Sequence, residues 1–512
     1  MGNGFGSTSK STRSSERADR FFERAVHSLE RSDQGSALQA LRAALAADPN
    51  HVPSLNELGA IQLSGGEIDA ALGSFERALS QAEGSQCPQV LNNLACALLE
   101  LHRPEEALQR LDQALTFEPG YVQALRQRGV VLQAMGRLSA ARDELLKSLA
   151  LQPADPKAWV TLALVHQECD ALDEALECAL KALELNPDDH SIRWLLATLL
   201  LACGRAQEAW PLFESRLFAE NAIGLYAYPD LEVWLPGSQP PPASLLVVAE
   251  QGLGDCLMWM RFLPLLRAQC HRLEFCGPPA LQPLVDDLGI VDRFLVPEAL
   301  EETTAERFLP LLSLGLALPD VLSQAPACLR ALGYQPPPER IARWRHLRQS
   351  AGESLLVGLH WQGNPQAEGR SHLRGRSMPL EALRPLQELQ GCQWVSLQYG
   401  PGVEQICAAD RQDWLVPWQG LVDEAPGLVD RAALLAACDV LVTTDSMVAH
   451  LAGLVGTPTL LLLHHCPEWR WRPDASPGLY PNHIALRQEL PGDWRPLVVD
   501  VAARLRTGRW HR

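Results

Sequence analysis

The stretch LDEALECALKALELNP (residues 172–187) indicates the architecture of the first part of the chain. Small and apolar residues recur in it at helical spacing, and its final proline ends the helix because proline cannot continue the hydrogen-bond ladder. A similar stretch, GGEIDAALGSFERAL, occupies residues 65–79. Two related helices in different parts of the chain indicate an internal repeat.

Two series of small residues give the period of this repeat. The first has spacings of 34, 36, 34, 34 and 34 and comprises Ala25, Gly59, Ala95, Gly129, Ala163 and Ala197. The second follows it by 12 residues at every step and comprises Ala37, Ala71, Ala107, Ala141, Ala175 and Ala209. Such an offset suits two antiparallel helices that each place one small residue where their backbones cross. Prolines are expected to end the second helices, at Pro49, Pro119, Pro153 and Pro187.

A 34-residue helix-turn-helix period resembles the tetratricopeptide repeat (TPR). The sequence therefore predicts six repeats over residues 18–217, with a longer loop near residues 83–87, where the 36-residue step falls. The resemblance implies a solenoid whose groove binds extended peptides or protein surfaces. Residues 1–17 lack a secretory signal and are predicted to form a disordered tail.

Composition limits the other functions open to the chain. Its 512 residues are 47% hydrophobic and carry a formal net charge of −17, so about three folded domains are expected and binding to nucleic acid or an anionic membrane surface is disfavoured. Its uncharged apolar stretches are too short for a membrane span. The 13 cysteines make an odd total and include no C-x-x-C pair of the zinc-binding or redox kind, and a reducing cytoplasm is the expected location.

After a linker at residues 218–243, strand-like and helical runs alternate. Strands are predicted at SLLVVAEQ (244–251), RLEFCG (272–277), RFLVP (293–297), LLVGLHWQGNP (355–365), CQWVSLQYG (392–400), VLVTTD (440–445) and TLLLLH (459–464). This alternation predicts two parallel, Rossmann-like α/β domains, at residues 244–345 and 346–512. Ligands are expected in the cleft between them, at the carboxyl ends of the strands.

The stretch DSMVAHLAGLVGTP (445–458) carries the most specific chemistry. A strand is predicted to end at Asp445 and a helix to open at Ser446, with His450 one turn later. The N–H groups of a helix N-terminus suit a diphosphate, and a carboxylate accepts hydrogen bonds from sugar hydroxyls. His450 contacts such a ligand in one interpretation and is a satisfied buried residue in the other.

This stretch resembles the signature of bacterial heptosyltransferase-like glycosyltransferases of the GT-B fold. Further similar segments are AEQGLGDCLMWMRFLPLL (249–266), GLHWQGNP (358–365), GRSMPL (375–380), EWRW (468–471) and LRQ (486–488). The layout of a TPR array followed by a GT-B module is also similar to that of protein O-GlcNAc transferases. The resemblance implies an acceptor-side domain at residues 244–345 and a nucleotide-sugar-binding domain at residues 346–512.

The resemblance also implies roles for single residues. Asp255 stands where the family places the carboxylate that deprotonates the acceptor hydroxyl, which gives an inverting displacement. In the alternative interpretation, Asp255 only caps the next helix. Gly252 and Gly254 would let the backbone approach the donor closely. Pro264 follows Asp255 at a greater distance than in the heptosyltransferases, which leaves the start of this helix open.

Arginines near GRSMPL are the candidates to neutralise the diphosphate. Arg376 and the adjacent Ser377 are the chosen pair, with Arg370 and Arg374 as alternatives. The sequence contains no D-x-D triplet, so the donor is expected to bind without a metal ion and without any cofactor beyond the nucleotide-sugar co-substrate.

Two functions therefore remain. In the first, the protein is a metal-independent glycosyltransferase whose acceptor is a glycan or a protein engaged by the TPR groove. In the second, it is a TPR adaptor with a catalytically silent glycosyltransferase-like module. The sequence does not identify the sugar, the nucleotide or the acceptor.

Overall fold

The computed structural model describes residues 7–219, 224–235, 239–318, 320–349, 354–365, 368, 375–425, 427–472 and 479–510. The chain forms two compact units, residues 1–166 and 167–512. The candidate acceptor and donor residues all lie in the second unit.

The repeats form a run of α-helices connected by short turns. These helices are α1 Ser7–Glu30, α2 Gln34–Ala47, α3 Val52–Ser64, α4 Ile68–Gln81, α5 Cys87–Glu100, α6 Pro104–Phe117, α7 Val122–Ala134, α8 Leu138–Leu151, α9 Pro156–Glu168, α10 Leu172–Leu185, α11 His190–Ala202 and α12 Ala206–Phe213. In the first unit, α1 packs on α2, α3 on α4, α5 on α6 and α7 on α8. In the second unit, α11 packs on α10 and α12. The predicted helical solenoid is confirmed.

Small residues do lie where the helices cross. A Cβ atom at Gly59 would come within 2.6 Å of the Phe75 ring, and one at Gly129 within 2.6 Å of Leu145. The alanines of both series are fully buried. Helices α2, α6, α8 and α10 each end two residues before the proline that was expected to end them. The longer loop predicted near residues 83–87 contains a short 3-10 helix, Gly84–Gln86.

Helix α1 begins at Ser7, inside the segment that was predicted to be a disordered tail. Neither glycine nor proline occurs between Ser7 and Glu30, so nothing in this stretch breaks the helix. The first helix is therefore longer than those of the other repeats.

The first sheet of the second unit has four parallel strands in the order β3-β2-β1-β4. These strands are β1 Ser244–Val248, β2 Arg272–Cys276, β3 Arg293–Leu295 and β4 Arg307–Pro310. The helices around it are α13 Leu253–Met260, α14 Leu263–Arg267, α15 Gln282–Leu288, α16 Leu314–Ala317 and α17 Ala325–Leu332. The helical stretch after β1 is divided into α13 and α14, and Pro264 lies in the first turn of α14, where its missing N–H is not needed.

The second sheet has five parallel strands in the order β6-β5-β7-β8-β9. These strands are β5 Leu355–His360, β6 Cys392–Ser396, β7 Val440–Thr444, β8 Thr459–Leu463 and β9 His483–Arg487. The helices of this region are α18 Pro338–Gln349, α19 Leu380–Leu383, α20 Ala408–Asp413, α21 Gln419–Asp423, α22 Leu428–Ala437, α23 Met447–Val455 and α24 Arg495–Thr507. Strands β7 and β8 are fully buried, which explains their continuous apolar sequences.

Two strands were missed in the sequence, and one predicted boundary falls within a helix. Strand β4 is four residues long and ends in a proline, and β9 is an edge strand with alternating exposure, so neither has a long apolar run. Helix α18 contains the predicted boundary at residues 345 and 346 and packs on α22 of the second sheet. The predicted linker also contacts the first sheet, where the N–H of Trp234 donates to the carbonyl of Phe308 at 2.8 Å.

Candidate functional site

Two helix N-termini meet between the sheets of the second unit. Helix α13 follows β1 through a turn in which Gln251 has a φ of +61°, and α23 follows β7 directly after Asp445. The two helices pack closely because Gly254 has no side chain. A Cβ atom there would lie 3.0 Å from the His450 ring. Gly254 thus allows α13, which follows the first strand of the first sheet, to pack against α23, which follows a central strand of the second sheet.

Asp255 lies in the first turn of α13 and has two partners. Its Oδ2 accepts a hydrogen bond from the N–H of Gly252 at 3.1 Å, as in the capping interpretation. Its Oδ1 accepts a hydrogen bond from Arg470, which belongs to the second sheet's region. Burial raises the pKa of the Asp255 carboxyl, against the lowering effect of Arg470. The side chain is 20% exposed, so a ligand can reach it.

Arg470 lies in the EWRW segment that carries part of the family resemblance, but its ion pair with Asp255 was not predicted from the sequence. Its guanidinium pairs with Asp255 and also with Glu468. The surrounding carboxylates raise the pKa of Arg470 despite its burial, and it is charged. The EWRW stretch was visible in the sequence, but a contact with a residue 215 positions away leaves no local pattern.

Asp445 and Ser446 occupy the predicted turn between β7 and α23. Asp445 is 5% exposed, and among the described residues its Oδ2 has no hydrogen-bond partner. Burial raises the pKa of Asp445 to about 6, while Arg376 acts in the opposite direction. The Oγ of Ser446 lies 3.3 Å from Oγ1 of Thr443 and does not cap α23. One oxygen of the Asp445 carboxyl is thus buried without a hydrogen-bond donor among the described residues.

His450 is held inside an aromatic cluster. Its Nδ1 lies 2.8 Å from the Tyr480 hydroxyl, and its ring stacks on Trp471 with 4.8 Å between centroids. Burial lowers the pKa of His450 well below its ordinary value, so the ring is neutral at pH 7. These contacts match the interpretation of His450 as a satisfied buried residue. Tyr480, which the sequence did not single out, provides its hydrogen bond.

Arg376 and Ser377 lie beside the loop that follows β5. The N–H of Gly363 donates to Ser377 Oγ at 2.9 Å, and this hydroxyl also contacts Glu368. A Cβ atom at Gly363 would lie 3.3 Å from the Arg376 guanidinium, so the glycine permits this close approach. Arg376 Nε lies 3.8 Å from Glu368. The alternatives Arg370 and Arg374 lie outside the described residues.

The structure thus brings together acids from both sheets with two arginines. Asp255, Asp445 and Glu468 all raise the pKa of Arg470, and Arg376 lowers the pKa of both aspartates.

Within the described ranges, no group of three or more His, Cys, Asp or Glu side chains is arranged to hold a metal ion. No described helix has the length and apolar character needed to cross a membrane. None of the thirteen cysteines, all of which lie among the described residues, forms a disulfide.

Comparison with known proteins identifies the first region. Three tetratricopeptide repeat models match the chain, at residues 17–86, 98–165 and 156–189, and the N-terminal region therefore consists of TPR repeats. The chain is also homologous to protein FlbA of Caulobacter vibrioides (strain ATCC 19089 / CIP 103742 / CB 15). The two are 29% identical over 504 residues, a match that covers 93% of this chain and 82% of FlbA.

Several solved TPR structures are similar to part of the chain. A thermophilic TPR protein of Thermus thermophilus is 27% identical, with a TM-score of 0.33 and coverage of 36% of this chain and 99% of that protein. PilW, a widely conserved type IV pilus biogenesis factor, is 25% identical, with a TM-score of 0.36 and coverage of 40% of this chain and 93% of PilW. A TPR protein from Parabacteroides merdae ATCC 43184 is 24% identical, with a TM-score of 0.32 and coverage of 40% of this chain and 79% of that protein.

Proposed function

We propose that the protein is a cytoplasmic, inverting glycosyltransferase of the GT-B type. The observation that carries this proposal is the cluster in which Asp255, in the first turn of α13, pairs with Arg470, while α13 packs against α23, the helix that follows Asp445. A transferase needs a base on the acceptor side and charge-neutralising groups on the donor side of one sugar. In this proposal the region of the first sheet supplies the base, and the region of the second sheet supplies the charge-neutralising groups.

In this proposal the donor is a nucleoside diphosphate sugar held by the second sheet. Arg376 and the N-terminus of α23, which has no side-chain cap, neutralise the diphosphate, and Asp445 Oδ2 accepts a hydrogen bond from a sugar hydroxyl. Asp255 removes the proton of the acceptor hydroxyl as its oxygen attacks the anomeric carbon. The nucleoside diphosphate leaves with the bonding electrons, and the configuration inverts. Neither a metal ion nor a further cofactor takes part.

The TPR repeats are proposed to engage a protein, either the acceptor or a docking partner. This matches the function of helical solenoids, whose repeated surfaces bind extended peptides. A glycan acceptor is compatible with the same site chemistry.

The test is sugar release and transfer from a panel of nucleotide-sugars, with wild type compared with Asp255→Asn. The variant should lose at least about 100-fold in turnover, the typical contribution of a positioned base, and should still bind the nucleoside diphosphate product. Asp286→Asn is the matched control, since Asp286 is an exposed carboxylate of the same region. Equal turnover by Asp255→Asn and wild type would refute the role of Asp255. Activity lost in EDTA and restored by Mn²⁺ would refute metal independence.

A second candidate function is that of a TPR adaptor with a silent glycosyltransferase-like module. The observation in its favour is the pairing of Asp255 with Arg470 and Gly252, which occupies both carboxylate oxygens. An occupied base removes a proton only after the pair opens. If no nucleotide-sugar is consumed by wild type in the presence of a bound protein partner, the adaptor function is favoured.

A further inference from the structure

The turn inside each TPR repeat contains one residue in the left-handed backbone conformation. These residues follow the period of the repeats and are Ser32, Gly66, His102, Gly136, Asp170 and Gly204, with φ between +56° and +78°. Glycine adopts this conformation without steric cost, whereas other residues are disfavoured there. Aspartate tolerates this conformation, and at position 170 its carboxylate also makes contacts that a glycine would lack.

The Asp170 carboxylate binds two arginines of the second sheet's region. Its Oδ1 accepts a hydrogen bond from Arg472 Nη2 at 2.6 Å, and its Oδ2 accepts one from Arg487 Nη2 at 2.5 Å. The partners are 302 and 317 residues away in sequence. All three residues belong to the compact unit formed by residues 167–512. Asp170 thus joins the α9–α10 turn of the fifth repeat to this region.

Both arginines also hold the backbone of the segment at residues 465–472. Arg487 Nε donates to the carbonyl of His465 at 2.6 Å, and Arg472 Nε donates to the carbonyl of Pro467 at 3.1 Å. Cys466 adds a contact of its own, from its thiol to the carbonyl of Gln167 at 2.7 Å. The segment is therefore tied to the α9–α10 turn at several points.

The same segment supplies three side chains of the candidate site. Glu468 and Arg470 form the charge cluster with Asp255, and Trp471 stacks on His450. Trp469 contacts Trp210 of α12 edge to face, with 6.2 Å between ring centroids. The conformation of residues 465–472 consequently determines where the Arg470 guanidinium lies.

We propose that Asp170 is a positioning residue that holds residues 465–472 in place, so that the fifth TPR repeat, formed by α9 and α10, is a structural part of the ligand site. The effect on ligand binding rests on the proposed function, whereas the effect on the segment does not. Asp170 touches no reacting group in this proposal and acts through Arg472 and Arg487.

Two variants distinguish the contribution of the Asp170 carboxylate from that of its backbone conformation. Asp170→Gly removes the carboxylate and suits the backbone, as glycine does at positions 66, 136 and 204. Asp170→Asn keeps a side chain that tolerates the left-handed conformation but removes the charge. His102→Gly is the matched control, because His102 has the same backbone conformation in another repeat and an exposed side chain.

Hydrogen exchange followed by mass spectrometry is the first measurement. The N–H groups of Trp471 and Arg472 donate to the carbonyls of Glu468 and Trp469, so ordered turns protect them. We expect both Asp170 variants to exchange at least tenfold faster in peptides covering residues 465–472, with no change in peptides covering β1. His102→Gly should leave both regions unchanged. Wild-type exchange rates in both Asp170 variants would overturn the proposal, as would acceleration spread equally over β1.

Calorimetric titration with UDP, GDP and ADP is the second measurement. If wild type binds one of these nucleotides, we expect the Asp170 variants to bind it at least fivefold more weakly and His102→Gly to bind it as wild type does. If the Asp170 variants bind the nucleotide as tightly as wild type while residues 465–472 exchange faster, Asp170 does not position the ligand site. If wild type binds none of the three, the proposed donor site fails, and the exchange result alone decides whether Asp170 holds the segment.

Discussion

Replacing Glu250 with glutamine should destabilise the second unit more than any exposed charge change. Glu250 lies at the end of β1, is fully buried, and accepts hydrogen bonds from Arg216 Nε at 2.9 Å and Nη2 at 2.7 Å. It also accepts one from the N–H of Leu312 at 2.8 Å. Arg216 is 1% exposed, so the variant leaves a buried guanidinium with only the partly exposed Glu214 as its counter-ion.

Breaking one side of a buried ion pair costs about 3–5 kcal/mol. At roughly 2 °C per kcal/mol for a large domain, the melting temperature should fall by about 6–10 °C. Differential scanning calorimetry measures this shift. Removing both charges in Arg216→Met with Glu250→Gln should cost less than the sum of the two single changes, because neither charge is then left buried and unpaired.

Glu208→Gln is the matched control for this prediction. Glu208 forms the same two-point contact with Arg205, but both side chains are about half exposed. Solvent screens such a pair, so no resolvable shift in melting temperature is expected. If Glu250→Gln and Glu208→Gln lower the melting temperature equally, the argument from burial is wrong.

Two further predictions concern stability. Gly129→Ala places a Cβ atom 2.6 Å from Leu145 and should destabilise the solenoid by about 1–3 kcal/mol, whereas Gly73→Ala meets no atom within 4 Å and should stabilise α4 by about 0.5–1 kcal/mol. Thermal unfolding that shifts both variants in the same direction would contradict this. Because burial raises the pKa of Asp445 to about 6, its ionisation disfavours the folded state above that pH. Asp445→Asn should therefore melt higher than wild type at pH 8, with the gap closing as the pH falls from 6 towards 4. A constant gap across that range would show that ionisation of Asp445 is not the cause.

Much of the site was predictable in position but not in its contacts. The turn after β1 and the turn after β7 were located from strand-like runs followed by helical patterns. Asp445 stands in the second of these turns, and Asp255 in the first turn of the helix that follows the first. Their approach through Gly254 depends on how α13 and α23 pack. His450 could be placed one turn into α23, but its aromatic surroundings were not visible, since Tyr480 is 30 residues away.

The helical repeats could be derived from the amino-acid sequence alone, including their period, the small residues at the crossings and the longer loop after α4. These features arise between residues that are close along the chain, so each leaves a periodic pattern of small residues and prolines. The pairing of Arg470 with Asp255, and of Asp170 with Arg472 and Arg487, became visible only in the folded chain. Such pairs form between residues 215 to 317 positions apart, and their geometry depends on the packing of whole helices and sheets rather than on any local pattern.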